Sequence, residues 1–319
     1  MLAALTFRAS ASSNPETPMD LSSKPRLTAA DFDQELLILF DAYVHGTIDR
    51  RGFLEGASKF AVGGMTAAGL LAALNPDFAH AQQVAPTDAR LKAEYISYDS
   101  PNGSGTVKGY LARPAKAAGK LPGILVVHEN RGLNPHIEDI ARRLALDNFV
   151  AFAPDALTPL GGYPGDEDKA RELFAKLDQS KTREDFLTAV TVLKNRPECS
   201  GKYGAVGFCY GGGMVHFLST KLPDLAAGVP FYGNLPNPDQ AVNVKAPLLI
   251  NFAAVDERIN AAWPGYEAAL KAAGVRFSAY TYPGTQHGFN NDTTPRYDAA
   301  AAKLAWERTV AFFNQNLRA

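Results

Sequence analysis

The chain has 319 residues, 46% hydrophobic and 20% charged, with 27 Gly and 21 Pro, a profile that excludes a disordered or collagen-like protein. With 32 Lys+Arg against 33 Asp+Glu the formal net charge is −1, so no field exists to collect phosphate backbones or anionic lipid, which argues against nucleic acid as a partner. The two cysteines, Cys199 and Cys209, cannot build a disulfide framework and lack zinc-ligand spacing, so no metal or other cofactor is expected and a cysteine that matters does so as a thiol.

Taken in chain order, Asp31–Asp41 carries leucines and phenylalanines at helical spacing and reads as an amphipathic helix within an N-terminal extension, residues 1–49. Residues 50–84 differ in composition. Arg50-Arg51 precedes an apolar run, Phe60–Leu74, and then the small-x-small site Ala79-His80-Ala81, as in a twin-arginine export signal. The run is shorter than the roughly 20 residues a stable membrane helix needs, so a permanent membrane anchor is not expected. Cleavage after Ala81 would give a periplasmic or exported protein. The depth of the arginines and Glu55 right after Leu54 leave the alternative of a retained, cytoplasmic arm, and Met19 within the lead offers a later start.

From residue 85 to 319 short β-rich runs alternate with helical ones. Glu94–Asp99 and Thr106–Ala112 flank Pro101-Asn102-Gly103-Ser104-Gly105 and predict an antiparallel hairpin. Near-continuous apolar runs follow at Gly123–Val127, Phe149–Ala153, Gly204–Phe208, Ala226–Phe231, Leu248–Phe252 and Phe277–Tyr282. Strands buried on both faces read this way. Helical runs separate them at Ile137–Leu146, Glu167–Leu177, Arg183–Lys194, Met214–Thr220 and Ala261–Ala273, and Ala299–Asn316 closes the chain. The alternation predicts one α/β domain with a doubly wound, mostly parallel sheet.

The sharpest motif is Gly207-Phe208-Cys209-Tyr210-Gly211-Gly212, between a predicted strand and a predicted helix. It has the form of a nucleophile elbow with Cys in place of Ser. Glycines are needed there because the turn is sharp and the strand and helix approach closely. The turn also aims the Tyr210 N–H at the site as an oxyanion donor. A Gly-rich phosphate turn is the alternative, but the G-x-G-x-x-G order and the terminal Lys are missing.

A thiol nucleophile needs a base and an orienting acid. His216 lies on an apolar helix face and reads as packed, whereas His287 follows the last predicted strand between glycines, where open α/β sheets assemble their sites. Asp256 follows the strand Leu248–Phe252, with Glu257 in reserve; a helix N-cap role for Asp256 is compatible. The order nucleophile, acid, histidine matches that of α/β-hydrolases. The polar segment His128-Glu129-Asn130-Arg131-Gly132 interrupts a buried strand and marks either a surface turn or a site. Asn130 stands where such folds place the second oxyanion N–H, and Glu129 could pair with the thiol or with His287.

Together these residues resemble the dienelactone hydrolase family of Cys-dependent α/β-hydrolases, over about Ala85 to Leu317. The resemblance implies an α/β-hydrolase fold in which Cys209 attacks an ester or lactone carbonyl and forms a thioester, with Asp256 and His287 completing its triad. It implies that Glu129 holds the resting thiol and that Tyr210 and Asn130 form the oxyanion hole. Dienelactone-cleaving members carry an arginine four residues after the histidine to bind the substrate carboxylate. Here that position is Asn291, and Arg131 and Arg296 are the nearby substitutes. Tyr163, Phe231, Tyr232, Trp263 and Phe289 are candidate pocket walls. The expected partner is therefore a small-molecule ester or lactone, with the oligomeric state open. A non-catalytic small-molecule receptor on the same fold is the alternative. Redox chemistry at Cys209 lacks a resolving thiol, because a predicted strand separates Cys199 from it.

Overall fold

The structure is a computed structural model and describes residues 26–62 and 64–318. Residues 1–25 of the extension, with Met19, lie outside that range. Eight strands form one sheet: β1 (Leu91–Ser100), β2 (Gly105–Pro114), β3 (Leu121–Val127), β4 (Val150–Pro154), β5 (Cys199–Phe208), β6 (Ala227–Phe231), β7 (Leu248–Val255) and β8 (Phe277–Gln286). Their order is β1-β2-β4-β3-β5-β6-β7-β8. β1 pairs antiparallel with β2 and β2 with β4, while every pair from β4 to β8 is parallel. All eight predicted strands and the hairpin are present.

The helices are α1 (Gln34–Val44), α2 (Arg50–Ala57), α3 (Ala67–Leu74), α4 (Phe78–Ala81), α5 (Pro135–Leu146), α6 (Glu167–Phe174), α7 (Gln179–Lys194), α8 (Tyr210–Lys221), α9 (Glu257–Asn260), α10 (Trp263–Ala272) and α11 (Ala299–Leu317). α5 and α11 pack on one face of the sheet through Ile137, Ile140, Leu144 and Phe313. On the other face α7 and α8 pack through Phe186, Val190, Leu193, Val215 and Leu218. The central strands are buried on both sides, which is why β3, β4 and β6 read as unbroken apolar runs. Most helices begin on a side-chain cap: Asn134 accepts from the Ile137 N–H at α5, Asp178 from those of Ser180 and Lys181 at α7, and Asp298 from that of Ala301 at α11. α8 has no such cap, so its first N–H groups stay available at the C-terminal edge of the sheet.

Residues 28–81 form a separate helical layer over that edge. Leu36, Leu37, Phe40, Tyr43, Phe53, Leu70, Leu71 and Leu74 build its own core. α1 is the amphipathic helix expected at Asp31–Asp41, displaced toward the C-terminus by capping at Asp33. The segment read as an export signal is folded. Arg50 and Arg51 open α2, and Arg50 pairs with Asp168 of α6 at 2.5 Å. The apolar run 60–74 yields a helix only from Ala67, where the Thr66 side chain caps it. Among the described residues no helix is long and apolar enough to cross a membrane. The layer is tied down by the hydrogen bond from the Tyr43 hydroxyl to Asp168, by Arg296 to Asp41 at 3.1 Å, and by the Asp77 N–H to the Thr293 carbonyl at 2.7 Å.

Candidate active site

β5 ends at Phe208 and α8 begins at Tyr210, leaving Cys209 alone at the turn with φ 54 and ψ −112. That left-handed φ is strained for a residue with a side chain and persists only where the surroundings hold it. Here they do. The Cys209 N–H donates to the Phe231 carbonyl at 3.1 Å, and a Cβ on Gly212 would stand 2.6 Å from the same oxygen. A Cβ on Gly207 would meet the Gly211 backbone. The glycines of the motif are therefore required by close approach, as the sequence predicts.

Asp256 directly follows β7 and His287 directly follows β8, and the parallel register of these strands brings them together. Asp256 Oδ2 lies 2.6 Å from His287 Nδ1, and both residues are buried. The pairing leaves His287 Nε2 buried without a hydrogen-bond partner. Asp256 is also the backbone N-cap of α9, though without a side-chain cap bond. Glu257, the reserve acid, is exposed.

A second histidine, which the sequence reading passed over, completes the arrangement. His45 follows the last turn of α1, and its Nε2 lies 3.4 Å from Cys209 Sγ. Its Nδ1 is held by Asp41, 2.8 Å from the carbonyl and 3.2 Å from the carboxylate. The two imidazoles stand edge to face, 4.6 Å between centroids, so the thiol has a carboxylate-anchored histidine on each side. The available signal was the i, i+4 pair Asp41 and His45 at the end of a predicted helix.

These neighbours set the thiol's charge. Burial pushes the Cys209 pKa up, but the charges of His45 and His287 outweigh it and bring it down to about 6. Burial opposes the charged form of His287 as well, yet the thiolate and Asp256 raise it to about 10. His45 is raised against its own burial by the thiolate and by Asp41. Asp41 is held well below the carboxylate range despite burial, by the His45 hydrogen bond and the charges of His287 and Arg296. These neighbours favour a thiolate flanked by imidazolium over the neutral pair.

A cavity of about 240 Å³ opens on Cys209 and is lined by His45, Asn130, Arg171, Phe174, Tyr210, Tyr232, Asn234 and Arg258, among others. Tyr210 and Asn130, the expected oxyanion donors, are both there. The segment 128–130 is fixed by His128, whose Nε2 accepts from the Ala156 N–H at 3.1 Å while Nδ1 donates to the Glu129 carbonyl at 2.6 Å. Tyr232 lies in the wall as expected, 4.9 Å centroid to centroid from His287. Phe231 and Phe289 belong to the core, and Trp263 packs with Phe252 and Phe277 in a cluster under the β7–β8 edge.

Three expectations are corrected by the geometry. Glu129 makes no hydrogen bond to the thiol among the described residues; its Oε2 accepts from Asn291 Nδ2 at 2.9 Å, because the amide stands where a carboxylate-binding arginine would be. Arg131 and Asn291, expected to contact substrate, line a different cleft of about 30 Å³. Arg131 is engaged by Asn130 Oδ1 at 2.8 Å and by Glu167 at 3.7 Å. Arg296 pairs with Asp41. The guanidinium groups facing the thiol are Arg171 and Arg258, and neither forms an ion pair with a carboxylate among the described residues.

Donor atoms of His45, Cys209 and His287 lie within 4.8 Å of one another, a set that could ligate a metal. Arg258 Nη2, 3.2 Å from His45 Nε2, places a fixed positive charge beside it and opposes a cation there. Cys199 is buried, and burial pushes its pKa up to about 12. His216 is packed as predicted, with burial lowering it to about 3.

Comparison with known proteins identifies the family. The profile of the dienelactone hydrolase family matches residues 107–317, about two thirds of the chain, and a second profile, YqhI-like, matches residues 24–62. The hydrolase fragment YghX of Escherichia coli K12 is 57% identical over 114 residues, 36% of this chain and 97% of that protein. A candidate carboxymethylenebutenolidase of the same strain is 31% identical over 230 residues, covering 67% of this chain and 84% of its own. A crystal structure of a candidate dienelactone hydrolase from Klebsiella pneumoniae superposes with TM-score 0.63 at 29% identity, covering 70% of this chain and 99% of that one. The chain is a hydrolase and belongs to the dienelactone hydrolase family.

Proposed function

We propose that the protein hydrolyses carboxylic esters or lactones through a thioester on Cys209, with Asp256 and His287 completing its triad. The observation that carries the reading is the strained Cys209 elbow set against the 2.6 Å Asp256–His287 pair. A thiolate at the N-terminus of α8 attacks the carbonyl carbon. The N–H groups of Tyr210 and Asn130 then stabilise the oxyanion. A small-molecule ester in the cavity at Cys209 is the substrate class that fits its volume.

The test is mass spectrometry of the enzyme quenched during turnover of a p-nitrophenyl ester. The expected result is an acyl group on the peptide bearing Cys209, with turnover abolished in Cys209→Ala. Full activity in Cys209→Ala overturns the thioester. Tight ligand binding with no acyl-enzyme over a broad ester panel would fit a receptor instead.

A further inference from the structure

We propose that the N-terminal helical layer belongs to the catalytic apparatus, and that His45, oriented by Asp41, is a catalytic residue that shares the Cys209 thiol with His287. The inference rests on the thioester reading and adds to it a division of labour. One histidine–carboxylate pair serves acylation and the other serves deacylation.

The geometry separates the two rings. His45 Nε2 is in hydrogen-bond contact with the sulfur at 3.4 Å, whereas His287, with a ring nitrogen within 4.8 Å of the same sulfur, acts on it by charge while its Nε2 makes no hydrogen bond of good geometry. His287 Nδ1 is bound to the Asp256 carboxylate, and His45 Nδ1 to the Asp41 backbone carbonyl at 2.8 Å with the Asp41 carboxylate 3.2 Å away, which leaves both Nε2 atoms for proton transfer. The layer is fastened to the loop that carries His287 by Asp41–Arg296 and by the Asp77 N–H to the Thr293 carbonyl. The charged or titratable groups facing His45 are Asp41 on its own helix, Cys209 at the elbow, His287 after β8 and Arg258 in α9. Arg258 and His287 favour the thiolate but oppose charge on His45, and the thiolate and Asp41 outweigh them in favouring the imidazolium.

In the resting enzyme the thiol proton sits on His45 Nε2. The sulfur forms a bond to the substrate carbonyl carbon while the carbonyl π pair moves onto oxygen. Collapse breaks the bond to the leaving oxygen, which takes the proton from His45 Nε2, leaving neutral imidazole and a neutral thioester. The thioester no longer supplies the charge that kept His287 protonated, so His287 loses its proton to solvent and becomes a base. It removes a proton from water as the water oxygen bonds to the thioester carbon. The C–S bond then breaks and the thiolate is restored beside imidazolium. The acid product releases its proton to solvent, and proton exchange returns both rings to the resting state.

Stopped-flow measurement of the p-nitrophenolate burst in the full-length protein separates the two half-reactions. His45→Gln and Asp41→Asn should slow the burst by about 10²–10⁴-fold while the deacylation rate stays within a few-fold. His287→Gln should slow deacylation and accumulate acyl-enzyme. Free imidazole should restore burst rate to His45→Ala, a rescue that a purely structural role would not show. Asp41→Asn keeps the ring in place and guards against loss of the helix. An unchanged burst in His45→Gln, equal slowing of both phases, or no rescue in a folded His45→Ala each overturns the assignment. If wild type forms no acyl-enzyme, the thioester reading itself fails; if it does and the burst ignores His45, only this inference fails.

Discussion

At the residue scale the decisive quantity is the protonation of one sulfur. A thiol ordinarily titrates near 8.5, and Cys209 is brought to about 6 against its own burial. The pair of thiolate and imidazolium is complete above about pH 6 and is lost as pH rises through about 10, where His287 gives up its proton. Iodoacetamide alkylation of Cys209 should therefore reach half its plateau rate near pH 6. A half-plateau near pH 8.5 would show that the flanking charges do not act. Asp256→Asn keeps the hydrogen-bond geometry but cannot stabilise imidazolium, so kcat should drop by about 10²–10⁴-fold with little change in fold. Cys209, Asp256 and His287 were legible because a glycine motif and strand-end positions mark them. His45 was not, because 164 residues separate it from the sulfur it touches. Nor was the partner of Glu129: the substitution at Asn291 was visible, but not that its amide would turn to that carboxylate.

At the element scale the strands were readable because burial on two faces leaves only apolar residues, and helix ends shifted by a few residues where Asp33 or Thr66 caps the chain. Residues 50–84 show where composition leaves two readings open. Ala, Gly and Leu without charge suit an export signal and a small helical core equally well, and here Leu70, Leu71 and Leu74 pack against Leu36, Phe40 and Phe53. Phe53 is fully buried between Phe40 and Tyr43. Phe53→Ala should cost the layer about 3–5 kcal/mol. Hydrogen exchange should then show lost protection across α1 and α2 with β3 to β6 unchanged. Loss of protection throughout the sheet would instead mean that layer and domain unfold as one unit.

At the scale of the whole molecule, a buried charge cluster joins the layer's exit to the catalytic loop. Asp139 accepts from the Val84 N–H at 2.9 Å and from Arg143 Nε at 2.8 Å, while Arg143 also reaches Asp292 at 2.5 Å, four residues before Arg296. Removing one member leaves uncompensated charge, so Asp139→Ala should lower stability by about 3–5 kcal/mol in denaturant titration. A chain cut after Ala81 would lose His45, so the N-terminus of protein isolated in active form should lie upstream of residue 41.

The backbone at Cys209 carries a consequence for how this enzyme can change over time. Its φ of 54 suits glycine, and a non-glycine residue held there costs on the order of 1–3 kcal/mol. Truncating a buried side chain ordinarily destabilises a protein; here relief of the turn opposes that loss. Cys209→Gly should thus be catalytically dead with a folding midpoint close to wild type. Drift away from catalysis would meet no barrier of stability at this position, so the thiol persists in a lineage only while its chemistry is under selection.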